Sequence, residues 1–270
     1  LALKRLLPKR KRTSNKADGG KVLIIGGGNG LQGAGILSAL AATKSGAGYT
    51  HLMTDLANFP WLKFPDFIVH PIKLNELKNK KDFSIGIGPG LGKEKSKINL
   101  IKFLIKHHFF NVIADADALT IIAENKIFPL PESWILTPHE VELGRLLGMS
   151  LAKIRLDRKS ALITAQSKYR CTILLKGHET LILSPESLKV TSTHYGSIAL
   201  SKAGTGDVLL GIITAFRAQG LSPNEAALLG VYVHGKSAQK FLSEGNDHLS
   251  LRPMDLLEKI PSILLELRYS

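Results

Sequence analysis

The chain has 270 residues, 44% of them hydrophobic and 21% charged, with one cysteine; this balance excludes disordered, collagen-like and disulfide-scaffold classes. Its net charge is +14, and residues 1–16 contribute seven Lys and Arg (Lys4, Arg5, Lys9, Arg10, Lys11, Arg12, Lys16) with no acid. Half of the excess therefore lies in a short arm, so we read residues 1–19 as a basic linker rather than a nucleic-acid surface, and residues 20–270 as a single domain. No apolar run reaches the roughly 18 residues that span a bilayer; the nearest, Gly33 to Ala42, is closed by Lys44. The start, Leu1 to Leu7, has neither an initiator Met nor a cleavage site, so the expectation is a cytoplasmic chain cut from a longer one. Cys171 sits in the apolar run Cys171 to Leu175 and is read as core.

After the arm, the β-branched run Lys21 to Ile25 predicts a strand, Gly26 to Gly30 a loop, and Ala34 to Ala42 a helix. Further strands are predicted at Asp66 to His70, Phe83 to Ile87, Asn111 to Ala114, Trp134 to Thr137 and Cys171 to Lys176. A helix is predicted from Ser96 to His107, and other helical stretches separate the later strands. Strands alternating with helices imply a mostly parallel sheet covered on both faces. Leu181 to Leu183 and Leu188 to Thr193 read as a hairpin around Ser184 to Ser187. The remainder is helical: Val208 to Gln219, Ser222 to Phe241 with Pro223 at the first helical position, and Pro253 to Leu267.

Two glycine loops carry chemistry. Gly28 to Gly33 matches G-x-G-x-x-G between a strand and a helix, the setting in which that pattern holds a dinucleotide pyrophosphate; Asp55 is the candidate ribose acid. The alternative is a tight turn that needs glycine for geometry alone. Ala203-Gly-Thr-Gly-Asp207 is sharper: small residues expose consecutive N–H groups, a helix aims its positive end at the same point, and a carboxylate stands beside it. That set suits phosphoryl transfer, with Asp207 accepting the nucleophile's proton.

Ala203 to Asp207 resembles the anion hole of ribokinase-like kinases. Gly86 to Gly92, Asp115 to Leu119, Leu136 to Glu142, Leu175 to Thr180 and Gly26 to Ala34 sharpen the likeness to the nucleotide-dependent NAD(P)H-hydrate dehydratase branch of that superfamily, over about Ser14 to Gly235. The resemblance implies an α/β fold, a ribokinase-like three-layer α/β/α sandwich with a mostly parallel central sheet. It implies dehydration of NADH-hydrate or NADPH-hydrate: ADP (or ATP) phosphorylates the ring hydroxyl, and phosphate is then eliminated. It places the catalytic base on Asp207, and substrate contacts on Ala34, Gly90, His139 and Asp207. Nucleotide contacts fall on Lys176, Gly177, His178, Glu179, Thr180, Ala203, Gly204, Thr205 and Gly206, and Mg²⁺ is reached through water by Glu142. His139 and Glu142 are read as lying at the start of one helix, with Pro138 at its first position.

Two departures from the family pattern bear on phosphate affinity and on the choice between ADP and ATP. Gly196-Ser197-Ile198 stands where relatives carry Gly-Asn-Pro, and Lys202 stands where a small or hydroxylated residue is commoner. The resemblance also implies a homo-oligomer, a tetramer in relatives, and a fused or partner epimerase domain. Three other readings compete: a ribokinase-like kinase for a small alcohol such as a vitamin precursor, using ATP; an NAD oxidoreductase built on Gly28 to Gly33; and a nucleic-acid binder using the arm.

Overall fold

The computed structural model describes residues 3–9, 13, 15–28, 30–55, 66–187 and 189–269. Arg10, Lys11, Arg12 and Ser14 of the arm, the residue between Gly28 and Gly30, and Leu188 lie outside the described residues. Among those described, nine strands form one sheet: β1 (Lys21–Ile25), β2 (Tyr49–Thr54), β3 (Ile68–Pro71), β4 (Ser84–Ile87), β5 (Val112–Ala114), β6 (Ile135–Leu136), β7 (Thr172–Leu175), β8 (Thr180–Leu183) and β9 (Thr191–Thr193). Their order is β3-β2-β1-β4-β5-β6-β7-β8-β9; β1 to β7 pair in parallel, β8 pairs antiparallel with β7, and β9 pairs antiparallel with β8. The helices are α1 (Gln32–Lys44), α2 (Leu74–Leu77), α3 (Lys95–Lys106), α4 (Ala116–Glu124), α5 (Glu140–Leu147), α6 (Leu151–Leu156), α7 (Arg158–Tyr169), α8 (Thr205–Ala218), α9 (Pro223–Ser243) and α10 (Pro253–Tyr269).

Side chains alternate across the sheet, so each strand feeds two cores. Val22 and Ile24 face the layer of α1, α8, α9 and α10, whereas Leu23 and Ile25 face that of α3, α4, α5 and α7. The result is the expected three-layer α/β/α sandwich with a mostly parallel sheet. Leu7, from the basic segment, is 4% exposed and belongs to the first core.

Strand β2 is absent from the sequence-based reading. Thr50, His51 and Thr54 interrupt its apolar pattern, and it is specified instead by tertiary pairing, with register Lys21↔Tyr49 to Ile25↔Met53 against β1. Helix starts also shift: α1 begins at Gln32 and α8 at Thr205, each before the expected residue. Pro138 is not at a first helical position; α5 starts at Glu140, and His139 is its N-cap. The Pro223 expectation holds, within a capping box made by Ser222 and Glu225.

Because β1 has β2 on one side and β4 on the other, the winding direction reverses between β1 and β4. Ligands in open α/β sheets bind outside the strands' carboxyl ends at such a switch point. The segments leaving those ends are Gly26 to Gly28, Gly88 to Gly92, Asp115, Thr137 to His139 and Lys176, the ones the sequence singles out.

Candidate active site

The first glycine loop is closed by the protein itself. Gly26, Gly27 and Gly28 donate their N–H groups to Met53, Pro89 and Gly90 carbonyls at 3.1, 2.8 and 2.6 Å. A Cβ on Gly26 would lie 2.2 Å from the Pro89 oxygen, and one on Gly90 would lie 2.7 Å from Leu31 Cβ. These glycines permit two loops to touch. Asp55, the candidate ribose acid, is held by the buried Lys97 ammonium at 2.5 Å.

The second loop is different. Gly204 takes φ +89°, a left-handed conformation that glycine accepts without strain, and α8 starts at the next residue. The N–H groups of Ala203, Gly204, Gly206 and Asp207 find no acceptor among the described residues, as expected where a helix begins without a side-chain cap. Thr205 fixes the turn by donating its hydroxyl toward the Leu200 and Lys202 carbonyls, both at 2.8 Å. His234, buried on α9 and pushed down to about 4 by burial above all, stays neutral; its Nε2–H donates to the Thr205 carbonyl at 2.9 Å.

Asp207 is not a cap; it lies in the first turn of α8, half-buried. Burial, reinforced by the nearby Asp115 carboxylate and opposed by Lys176, pushes its carboxyl up to about 7. Lys176 leaves the end of β7, and its ammonium sits 2.7 Å from Asp115 Oδ1 and 3.7 Å from Glu142 Oε2. Burial pulls that ammonium down, and the two carboxylates outweigh it, so it is held above its usual range. Asp115 caps α4 through the Ala116 N–H, and it also joins this charge network.

His139 and Glu142 form a capping box. His139 Nδ1 accepts from the N–H groups of Val141 and Glu142 at 3.1 and 3.3 Å, and Glu142 Oε2 accepts from the His139 N–H at 2.8 Å. With Nδ1 used as an acceptor, the imidazole carries its proton on Nε2. Ala34 stands in the first turn of α1, where Ser38 Oγ lies 3.0 Å from the Ala34 oxygen and 2.9 Å from the Asp207 oxygen, tying α1 to α8.

A cavity of about 760 Å³ opens beside these groups. Of the expected residues it is lined by His139, Lys176, Gly177 and His178, and by Thr180, Thr205 and Gly206. Ala34, Gly90, Asp207, Glu142, Glu179, Ala203 and Gly204 are not in its wall. Glu179 turns aside to accept from the Ser192 hydroxyl, and Gly204 packs against Pro253. Lys202 lines the cavity while its ammonium donates to the Leu249 carbonyl; Ser197 caps a short turn, and Ile198 is largely exposed at the rim. Cys171 is fully buried, and burial pushes its thiol up, which removes it from nucleophile chemistry. Ser38, His234 and Arg158 contribute to this region without any signal in the sequence pattern.

Fold and site together define a ribokinase-like protein with amides that have no acceptor among the described residues at the start of α8 and a titratable carboxylate beside them. The NAD(P)H-hydrate dehydratase family model matches residues 22–262, so the chain belongs to that family. It is 36% identical over 247 residues to the bifunctional NAD(P)H-hydrate repair enzyme of Coxiella burnetii, covering 90% of this chain and 50% of that protein. It is 33% identical over 238 residues to the ADP-dependent (S)-NAD(P)H-hydrate dehydratase of Neisseria meningitidis, covering 85% and 79%. The chain thus spans about half the length of the bifunctional relatives it matches. Among solved structures, a ribokinase-like superfamily protein of Enterococcus faecalis superposes with TM-score 0.87 at 28% identity, covering 99% of this chain and 94% of that one. The ADP/ATP-dependent NAD(P)H-hydrate dehydratase of Bacillus subtilis, co-crystallised with ATP and Mg²⁺, superposes with TM-score 0.82 at 28% identity, covering 98% and 96%. Among the described residues no helix is long and apolar enough to cross a membrane.

Proposed function

We propose that the chain dehydrates NADH-hydrate or NADPH-hydrate at the expense of an adenine nucleotide, as the names of its relatives suggest. The observation that carries this reading is the set of uncommitted amides at Ala203 to Asp207 beside a carboxyl poised at about 7. Hydroxide is a poor leaving group, so the ring hydroxyl must first become a phosphate ester. Asp207 takes the hydroxyl proton as that oxygen attacks the terminal phosphorus, and the amides and Lys176 stabilise the charge on the phosphoryl oxygens. The nucleotide leaves one phosphate shorter, AMP from ADP. The ring nitrogen's lone pair then expels phosphate, and a proton leaves the neighbouring carbon to complete the double bond.

In this reading the substrate lies along Ala34, Gly90 and His139, and the nucleotide along Lys176 to Thr180 and Ala203 to Gly206. Among the described residues no three His, Cys, Asp or Glu side chains form a ready-made metal cage. Mg²⁺ needs none, because it keeps several waters and is bound by one or two carboxylates together with phosphate; the buried oxygens of Glu142 and Asp115 fit that donor chemistry. When bound it would neutralise charge on the phosphates. We further propose that the chain works in the cytoplasm as a homo-oligomer beside an epimerase activity, fused or separate, that supplies the hydrate in the right configuration.

The test is restoration of dihydronicotinamide absorbance from hydrated NADH with Mg²⁺ and ADP or ATP. Recovery that needs nucleotide and releases stoichiometric phosphate is expected. Folded protein that gives no recovery with either nucleotide, yet phosphorylates a small alcohol with ATP, would sink the reading in favour of a vitamin-precursor kinase.

A further inference from the structure

Arg158 is the first residue of α7, which has no acidic residue in its first turn. A cation at a helix N-terminus opposes the helix dipole, so helix stability does not explain it. Its guanidinium reaches the turn that follows β7. Nη1 donates to the Glu179 carbonyl at 2.7 Å, and Nη2 donates to the Lys176 carbonyl at 3.0 Å. The two carbonyls bracket Gly177 and His178, and one planar fork spans them. The remaining edge faces Glu140: Nε lies 3.1 Å from Glu140 Oε1 as an ion pair without hydrogen-bond geometry, and the other Glu140 oxygen is held by Arg155. Glu140 opens α5, directly after His139, and the Lys176 N–H donates to the Pro138 carbonyl at 2.8 Å.

Two glycines record how closely the turn is held. A Cβ on Gly177 would lie 2.4 Å from Arg158 Nη2, so the turn rests directly on the guanidinium. A Cβ on Gly196 would lie 2.3 Å from the His178 oxygen and 2.9 Å from the Gly177 oxygen, so the Gly196 backbone also packs on the turn. Gly177, His178 and Thr180 line the cavity, whereas Arg158 does not.

We infer that Arg158 is a positioning residue for the nucleotide: it sets the Lys176 to Thr180 turn through two backbone carbonyls and couples that turn, through Glu140, to the helix carrying His139 and Glu142. This rests on the nucleotide reading of the turn given above. Lysine cannot replace it, because an ammonium is a point donor and cannot span both carbonyls in the plane of a fork.

The experiment compares wild type, Arg158→Lys and Arg158→Met in direct titration with ADP and in turnover of hydrated NADH. Both variants are expected to raise Kd and KM for ADP roughly tenfold or more while kcat and the KM for the hydrate stay within about threefold. Gly177→Ala, which pushes on the guanidinium from the other side, is expected to weaken ADP in the same way, and to add no further loss in an Arg158→Met background. If Arg158→Met fails to fold, the decision falls to Arg158→Lys and Gly177→Ala, which retain the guanidinium or its charge. Folded variants that bind ADP like wild type overturn the inference, as does a fall in kcat with an unchanged KM for ADP. Wild type that binds no ADP at all sinks the nucleotide reading itself, a different result.

Discussion

The two glycine loops look alike as text: each runs into a helix, and each has small residues at alternate positions. In the folded chain they do opposite things. Gly26 to Gly28 give their N–H groups to carbonyls of the protein and use their missing side chains to let two loops touch. Ala203 to Asp207 keep four N–H groups without an acceptor among the described residues, next to a buried charge network. A glycine pattern therefore reports close backbone approach, and only the hydrogen-bond partners say whether the approaching group is a ligand. Within Gly28 to Gly33 the closure uses the Gly28 N–H, whereas a Cβ on Gly30 or Gly33 would meet nothing within 4 Å, so the close approach belongs to the Gly26 to Gly28 half of the loop.

The sharpest way to break the comparison is Asp207→Asn. Turnover is expected to fall roughly a hundredfold to ten-thousandfold, with ADP titration little changed. The same variant should be more stable than wild type at alkaline pH. Folded Asp207 keeps a proton to about 7 that the unfolded chain releases near the ordinary aspartate value of 3.8, so stability is lost as pH rises through that window. Thermal melts in alkaline buffer should favour the variant by about 2 kcal/mol, a gain that disappears in acid.

Glycine-to-alanine pairs sharpen it next. Gly26→Ala meets a carbonyl that cannot move, and should cost about 3 kcal/mol in denaturant melts. Gly206→Ala has ordinary room, 3.7 Å from Lys176 Nζ and Asp115 Oδ2, so it should fold normally and raise the KM for ADP roughly tenfold by covering the amides. Equal losses of stability in both variants would erase the distinction between the loops.

Most of the architecture was legible because buried parallel strands are continuous apolar runs, as in Lys21 to Ile25 and Thr172 to Leu175. Strand β2 was not, because the His51 ring stacks on His70 at 5.0 Å and meets Phe83 edge-on, while Thr50 and Thr54 hydrogen-bond Thr43 and the Gly27 carbonyl, contacts that no local pattern encodes. At the site, Lys176 and His139 stood out through the family resemblance of their motifs, and the α8 loop through its small residues ahead of a helix. The sequence around Asp115 specifies only a helix cap; its ion-pair partner Lys176 is 61 residues away. Arg158 and Ser38 act through backbone carbonyls, which leave no residue-type signature.

Two smaller effects remain. Asp115→Asn keeps the cap and removes a negative charge that raises Asp207, so the acid limb of kcat/KM should move down by about one pH unit. Lys202→Ser should change nucleotide KM less than about threefold, because that ammonium is already engaged by the Leu249 carbonyl. A larger change in the second would make Lys202 a phosphate ligand and reopen the choice between ADP and ATP.

The central claim is that Asp207 is the proton acceptor, tuned by its burial. The direct measurement is kcat/KM for hydrated NADH from about pH 5 to pH 9 at fixed ADP and Mg²⁺. Activity should rise through an inflection at about 7 and level off above it. A profile with no acid limb in that range, from folded and active protein, would contradict the account.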